Sequence, residues 1–235
     1  MVPAIGNLIL NYTIKMRYLK EIFKKIIDAP LQDLYKDKYL MDIMCEIGIV
    51  PPNDTPKGPY MEIEDISCMK GNRLMIQKRT EVLELIKYIR EKEIKSYCEV
   101  GVWRGGLFIL MTALLIRYNK DFERAAVIEP EATRLEFIED YCKLDYFHTS
   151  EDIISPLGFD LCFIDGDHSY EWVRKDWENV GKKSKVVAFH DIKHKPVPGV
   201  AKCWKEISRN LPSFEITHPP HEIMGIGLVN NEGSI

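Results

Sequence analysis

The chain has 235 residues, 46% of them hydrophobic and 29% charged, an ordinary globular composition with enough apolar residues for a real core. Its formal net charge of -4 supplies no basic field to gather phosphates, so no nucleic-acid partner is expected. Six scattered cysteines without a CxxC pair read as small buried hydrophobes in a reducing compartment, not as a disulfide or zinc framework.

Residues 8–28 place Ile14, Tyr18, Ile22 and Ile26 at helical spacing, with Lys15, Lys20, Lys24 and Lys25 interspersed. Asp28-Ala29-Pro30 ends that helix, because a residue preceding proline is pushed out of the α region. The apolar run from Asn7 to Leu10 is too short for a secretory signal, and no stretch is long and apolar enough to span a bilayer. The expectation is a cytoplasmic protein without membrane insertion. Such a helix more often packs on its own domain or on the partner in a homodimer than on an anionic membrane. A second apolar-periodic stretch covers about 31–48, and Pro51 through Pro59 reads as a linker or ordered loop. Residues 1–60 are therefore expected to be a helical extension, serving as lid, substrate or dimer contact, with the main domain at 61–235.

From about residue 78 helix and strand patterns alternate. Val82, Leu85, Ile86 and Ile89 form a helical face, Ser96 to Gly101 a short strand, and 105–118 a nearly all-apolar helix. Ala125 to Glu129 is the next strand, 131–141 the next helix, then a strand near 145–148 and a short helix near 151–155. Phe159 to Asp165 is a buried strand, and Tyr170, Val173, Trp177 and Val180 mark the helix after it. Lys185 to His190 is a fifth strand, and Val200, Trp204, Ile207 and Leu211 mark a last helix. Strands at about 213–217 and 225–230 close the chain. This order predicts an α/β protein with a doubly wound parallel sheet, whose ligands sit beyond the carboxyl ends of the strands.

The polar motifs fall at those strand ends. Glu99-Val100-Gly101 to Gly105-Gly106 joins a strand to a helix. Glycine there lets the backbone approach a ligand, and the helix start offers free N–H groups. The plain alternative is a tight turn. Three residues separate Gly101 from Gly105, unlike the G-x-G-x-x-G of a dinucleotide site, and Glu99 would repel a pyrophosphate but suit an ammonium group. Glu129 can accept from both ribose hydroxyls, or simply favour a helix N-terminus. Asp165, Asp167 and His168 crowd the end of the fourth strand, where an N-cap accounts for Ser169 but not for the cluster. His190 and Asp191 end the neighbouring strand, so Asp165 and Asp191 can face one another. Two carboxylates and the His190 imidazole suit a divalent metal, and two separately satisfied turns are the alternative.

These motifs, together with Phe163-Ile164-Asp165-Gly166-Asp167-His168-Ser169-Tyr170-Glu171 and Gly199-Val200 through Trp204-Lys205-Glu206, resemble class I S-adenosylmethionine-dependent methyltransferases. The branch most similar is methyltransferase family 24, over about residues 76–230. The resemblance implies a Rossmann-like seven-stranded sheet with a reversed last strand. It implies cofactor contacts at Glu99, Gly101, Gly105, Glu129 and Asp165, with Ser150 in the segment that meets the adenine. Relatives that methylate hydroxyls hold magnesium on an Asp after the fourth strand, matched by Asp165, and an acidic pair after the fifth. Asp191 matches part of that pair, and His190 stands where a carboxylate is usual.

The expected chemistry is methyl transfer to a hydroxyl of a small-molecule or glycan acceptor. His168 is the candidate base, oriented by Asp167 or Asp165, with Asp165, His190 and Asp191 as the set for a divalent metal. The acceptor pocket is expected from the N-terminal region and the loop around Lys193-His194-Lys195-Pro196. The rivals are an NAD-dependent Rossmann oxidoreductase, disfavoured by the glycine spacing, and a non-catalytic module that binds S-adenosylmethionine.

Overall fold

The computed structural model describes residues 3–48, 74–131, 134–154, 158–217 and 224–231. The expected loop at 51–59 and the side chain of Ile14 lie outside what is described.

Seven strands form one sheet: β1 (Ser96–Val100), β2 (Arg124–Ile128), β3 (Lys143–Phe147), β4 (Leu161–Ile164), β5 (Val186–Phe189), β6 (Ser213–Ile216) and β7 (Ile226–Asn230). Their order is β3-β2-β1-β4-β5-β7-β6. The first five are parallel, whereas β7 runs antiparallel to both β5 and β6. This is the Rossmann-like sheet with a reversed last strand. Central strands read as unbroken apolar runs because both their faces are covered, and every residue of β4 and β5 is buried.

Alternation along the strands divides the core in two. Tyr97, Val127, Phe163 and Ala188 face one layer, and Cys98, Ala126, Cys162, Val187 and Phe189 face the other. The first layer holds α1 (Pro3–Asp28), α2 (Asp37–Ile47), α3 (Arg79–Ile89) and α4 (Gly106–Tyr118). The second holds α5 (Tyr170–Asn179) and α6 (Pro198–Ser208). α4 is apolar all round because α1 lies over its outer side, and its residues from Gly106 to Leu115 are buried. Leu19, Ile22, Phe23 and Ile26 of α1 are nearly inaccessible, each contributing on the order of 1.5–3 kcal/mol.

Three expectations need correction. The periodic stretch at 31–48 is not continuous: a 3-10 turn at Leu31–Tyr35 precedes α2. The helix expected over 131–141 is, among the described residues, only a 3-10 turn at Glu136–Ile138. α1 supplies the apolar cover there, with Phe23 packing edge-on against Phe137 and Tyr141. The short helix near 151–155 is a 3-10 turn at Ser150–Asp152.

Candidate active site

β2 and β3 continue from β1 to one side, and β4 and β5 lie on the other, so the winding reverses between β1 and β4. A cavity of about 620 Å³ opens beyond the carboxyl ends there, where the topology of open α/β sheets places ligands. Its lining includes Glu99 near the end of β1 and Gly101 just after it, Glu129 after β2, Ser150 after β3, Asp165, Asp167 and His168 after β4, and His190 and Asp191 after β5. Gly105 does not line it.

Gly101 has φ +83, and a Cβ there would lie 2.2 Å from the backbone oxygen of Asp165. Only glycine allows the β1 and β4 loops to touch at this point. Trp103 holds φ 48, unusual for a bulky residue, and its N–H donates to Glu129 Oε2 at 3.0 Å. The loop after β1 is thereby pinned to the end of β2. Gly105, at φ +87, starts α4 beside Leu19 and Leu135. Glu99 is 1% exposed, and burial pushes its carboxyl well above the usual range. It accepts a hydrogen bond from the Tyr97 hydroxyl.

The carboxylate and imidazole groups converge as the strand order requires. His190 Nδ1 lies 3.0 Å from Asp165 Oδ1, and the Gln77 amide donates to Asp165 Oδ2. His168 Nε2 lies 3.1 Å from Asp191 Oδ2 and 3.5 Å from Asp165 Oδ1, close enough for charge pairing but not aligned for a hydrogen bond. His194 approaches the same Asp191 oxygen at 3.3 Å. Asp191 takes a left-handed backbone conformation, φ 62, to turn its carboxylate toward this group. Asp165 and Asp191 raise His168 to about 10 against the opposing effect of partial burial. Burial pulls His190 down, but the same carboxylates outweigh it and leave the ring at about 9. Burial also opposes the charge on Asp165 and Asp191, yet the imidazoles hold both below the ordinary carboxylate range.

The expected metal set was Asp165, His190 and Asp191. Among the described residues, the donor atoms that converge within 4.8 Å of one another belong to Asp165, His168 and Asp191. His190 instead uses Nδ1 on Asp165, and its Nε2 is buried without a partner. Asp167 does not hold His168. It accepts from the Ser169 N–H at 2.8 Å, within the turn that starts α5.

Several lining residues escaped the sequence reading. Leu74, Met75, Ile76 and Gln77 form a wall from the segment before α3. Leu74 is tied on both sides, donating to Ile47 O and accepting from the Gly106 N–H. Trp172 and Asp176 also line the cavity, one turn apart on α5. Ser150 Oγ donates to Asp176 Oδ1 at 2.6 Å, and burial pushes the Asp176 carboxyl up to about 6. A tryptophan and an aspartate four residues apart, off the apolar stripe of Tyr170, Val173 and Trp177, were the available signal. Residues 193–196 do not line the cavity.

No protein-family model and no curated protein matches the chain. Among solved structures, an O-methyltransferase from Bacillus cereus in complex with S-adenosylhomocysteine is 14% identical, over 68% of this chain and 84% of its own, with a TM-score of 0.49. An O-methyltransferase from Streptomyces achromogenes involved in tomaymycin synthesis, in complex with S-adenosylmethionine, is 14% identical over 68% and 83%, with a TM-score of 0.48. An S-adenosylmethionine-dependent O-methyltransferase from Thermotoga maritima is 15% identical over 68% and 67%, at 0.46. These likenesses concern the fold, which the strand order already gives. No described helix is long and apolar enough to cross a membrane.

Proposed function

We propose that the chain is an S-adenosylmethionine-dependent methyltransferase acting on a hydroxyl of a small molecule or glycan. The observation that carries this reading is the single cavity that gathers Glu99, Gly101, Glu129 and Ser150 beside the Asp165–His168–Asp191 cluster. Glu99 suits the cofactor ammonium, the Gly101 turn admits its methionine portion, Glu129 suits the ribose hydroxyls, and Ser150 lies at the adenine end. A dinucleotide fits less well, because Glu99 would oppose a pyrophosphate. A purely binding module would have no use for the carboxylate and imidazole cluster.

In the reaction, an acceptor oxygen lone pair forms the new C–O bond as the C–S bond breaks. The electron pair goes to sulfur, giving neutral S-adenosylhomocysteine. The hydroxyl proton must leave, and the cavity serves chiefly to align the reactants and take that proton. His168 is the assigned acceptor of the proton. Paired with two carboxylates it is charged at neutral pH, so it serves as a base only in alkaline solution.

The donor set fits a divalent cation: two carboxylates and an imidazole converge, and His168 Nε2 is buried without an aligned hydrogen bond. Magnesium held by Asp165, His168 and Asp191 would lower the pKa of an acceptor hydroxyl and offset the charge of the alkoxide; His168 Nε2 is then a ligand, and the proton passes to solvent in place of His168. Calorimetric titration with S-adenosylhomocysteine, with and without magnesium, tests the reading. One-site binding to the wild-type chain is expected. Binding of NADH in place of S-adenosylhomocysteine would overturn it in favour of an oxidoreductase.

A further inference from the structure

Glu99 sits in an unfavourable place for a carboxylate. It is 1% exposed, and its neighbours across the sheet are Val127 and Phe163, neither of which can hydrogen-bond to it. A buried carboxylate without a donor protonates or swings away. Two residues earlier on the same face of β1, Tyr97 is fully buried, and its hydroxyl donates to Glu99 Oε2. The tyrosine ring cannot drift, because it stacks on Phe108 of α4 with centroids 5.6 Å apart and planes 24° apart. A buried tyrosine needs a partner for its hydroxyl, and this pair satisfies both residues. The other oxygen-bearing groups of the cavity lie at the loop ends, whereas Tyr97 does not line the cavity at all.

We propose that Tyr97 is a positioning residue that fixes the Glu99 carboxylate from behind, so that the cavity selects nucleoside thioethers carrying an amino-acid end. The inference rests on the reading of the cavity as an S-adenosylmethionine site. Tyr97 touches neither cofactor nor acceptor. It acts through Glu99, which meets the ammonium group. A ligand lacking that group gains nothing from the pair.

Tyr97→Phe keeps the ring and its stacking on Phe108 and removes only the donor. The probes are S-adenosylhomocysteine and 5′-methylthioadenosine, the same nucleoside thioether without the amino-acid end, titrated calorimetrically into the full chain. Loss of a hydrogen bond to a charged group predicts about tenfold or more weaker binding of S-adenosylhomocysteine. Binding of 5′-methylthioadenosine should stay within about twofold, and in a Glu99→Gln background Tyr97→Phe should change S-adenosylhomocysteine affinity by less than about twofold. Unchanged S-adenosylhomocysteine affinity in Tyr97→Phe overturns the proposal. So does an equal loss of both ligands, which marks a general loss of structure. If the wild-type chain binds neither ligand, the cofactor reading itself fails, and that result differs from every outcome confined to the variant.

Discussion

Gly101 and Gly105 share the same backbone conformation, φ +83 and +87, yet they meet different surroundings. This makes them a controlled pair. Alanine at either position carries the left-handed penalty of roughly 1–2 kcal/mol. At Gly105 the added Cβ has its nearest neighbour at 3.6 Å, the Leu19 side chain, so that penalty is the whole cost. For a chain of this size the melting temperature should fall by about 2–8 °C, with S-adenosylhomocysteine affinity retained. At Gly101 the Cβ would sit 2.2 Å from the Asp165 oxygen, 2.5 Å from its carbon and 2.6 Å from Gly166 Cα. Relief to ordinary contact requires a backbone shift of roughly 1 Å in the turn that carries Asp165, and displacement on that scale at a reaction centre costs about a hundredfold in function. Gly101→Ala should therefore cut S-adenosylhomocysteine affinity at least about tenfold, beyond the loss of stability it shares with Gly105→Ala. Thermal denaturation and calorimetry on the two variants give both readouts. Equal ligand affinity in the two variants would refute the argument from close approach.

Glu129→Ala removes the candidate ribose acceptor and frees the Trp103 N–H. Calorimetry should show S-adenosylhomocysteine binding weakened by about tenfold, the loss of one charge-assisted hydrogen bond. Asp176 has a folded pKa of about 6 against an ordinary 3.8, so the folded chain binds its proton more tightly than the unfolded chain. That stabilisation is complete below about 3.8 and is lost as pH rises through about 6. The melting temperature of Asp176→Asn relative to wild type should therefore rise from pH 4 to pH 7, and a constant difference would contradict the burial argument. Glu81 is fully buried, pairs with Lys78 at 3.3 Å and accepts from the Gly225 N–H at 3.0 Å. Glu81→Ala removes the acceptor of the Gly225 N–H and a buried ion pair, and should cost about 3–5 kcal/mol in urea denaturation. His168→Ala removes one of the three converging donors and should weaken manganese binding, followed by electron paramagnetic resonance, by at least the roughly 10–100-fold that loss of a mere neighbour of a ligand costs; unchanged affinity would refute a ligand role.

The strands and their end motifs were legible because buried parallel strands announce themselves as apolar runs and their polar residues cluster just beyond. Glu99, Glu129, Asp165 and Asp191 could be placed on one edge from strand order alone. Which imidazole joins the two carboxylates was not legible. Both histidines follow strands that lie side by side, and both rings reach both carboxylates, His190 through Nδ1 at 3.0 and 3.5 Å and His168 through Nε2 at 3.5 and 3.1 Å, so strand order alone does not say which ring joins them as a donor. Gln77 gave no signal, because its contact with Asp165 spans 88 positions and carries no periodicity. Tyr97 looked like any aromatic in a strand. The missing helix after β2 reflects cover supplied from far away in sequence, by α1, which local patterns do not report.

That cover has a consequence for how the chain is made. α1 ends at Asp28, and the helix it packs on ends at Tyr118. At about 5–20 residues per second of synthesis, the apolar face of Leu19, Ile22, Phe23 and Ile26 waits on the order of 5–20 seconds for its counterpart. During that interval the nascent chain displays a greasy stripe flanked by lysines, the kind of surface that holding chaperones grip. Folding yield in the cell should depend on how that wait is bridged.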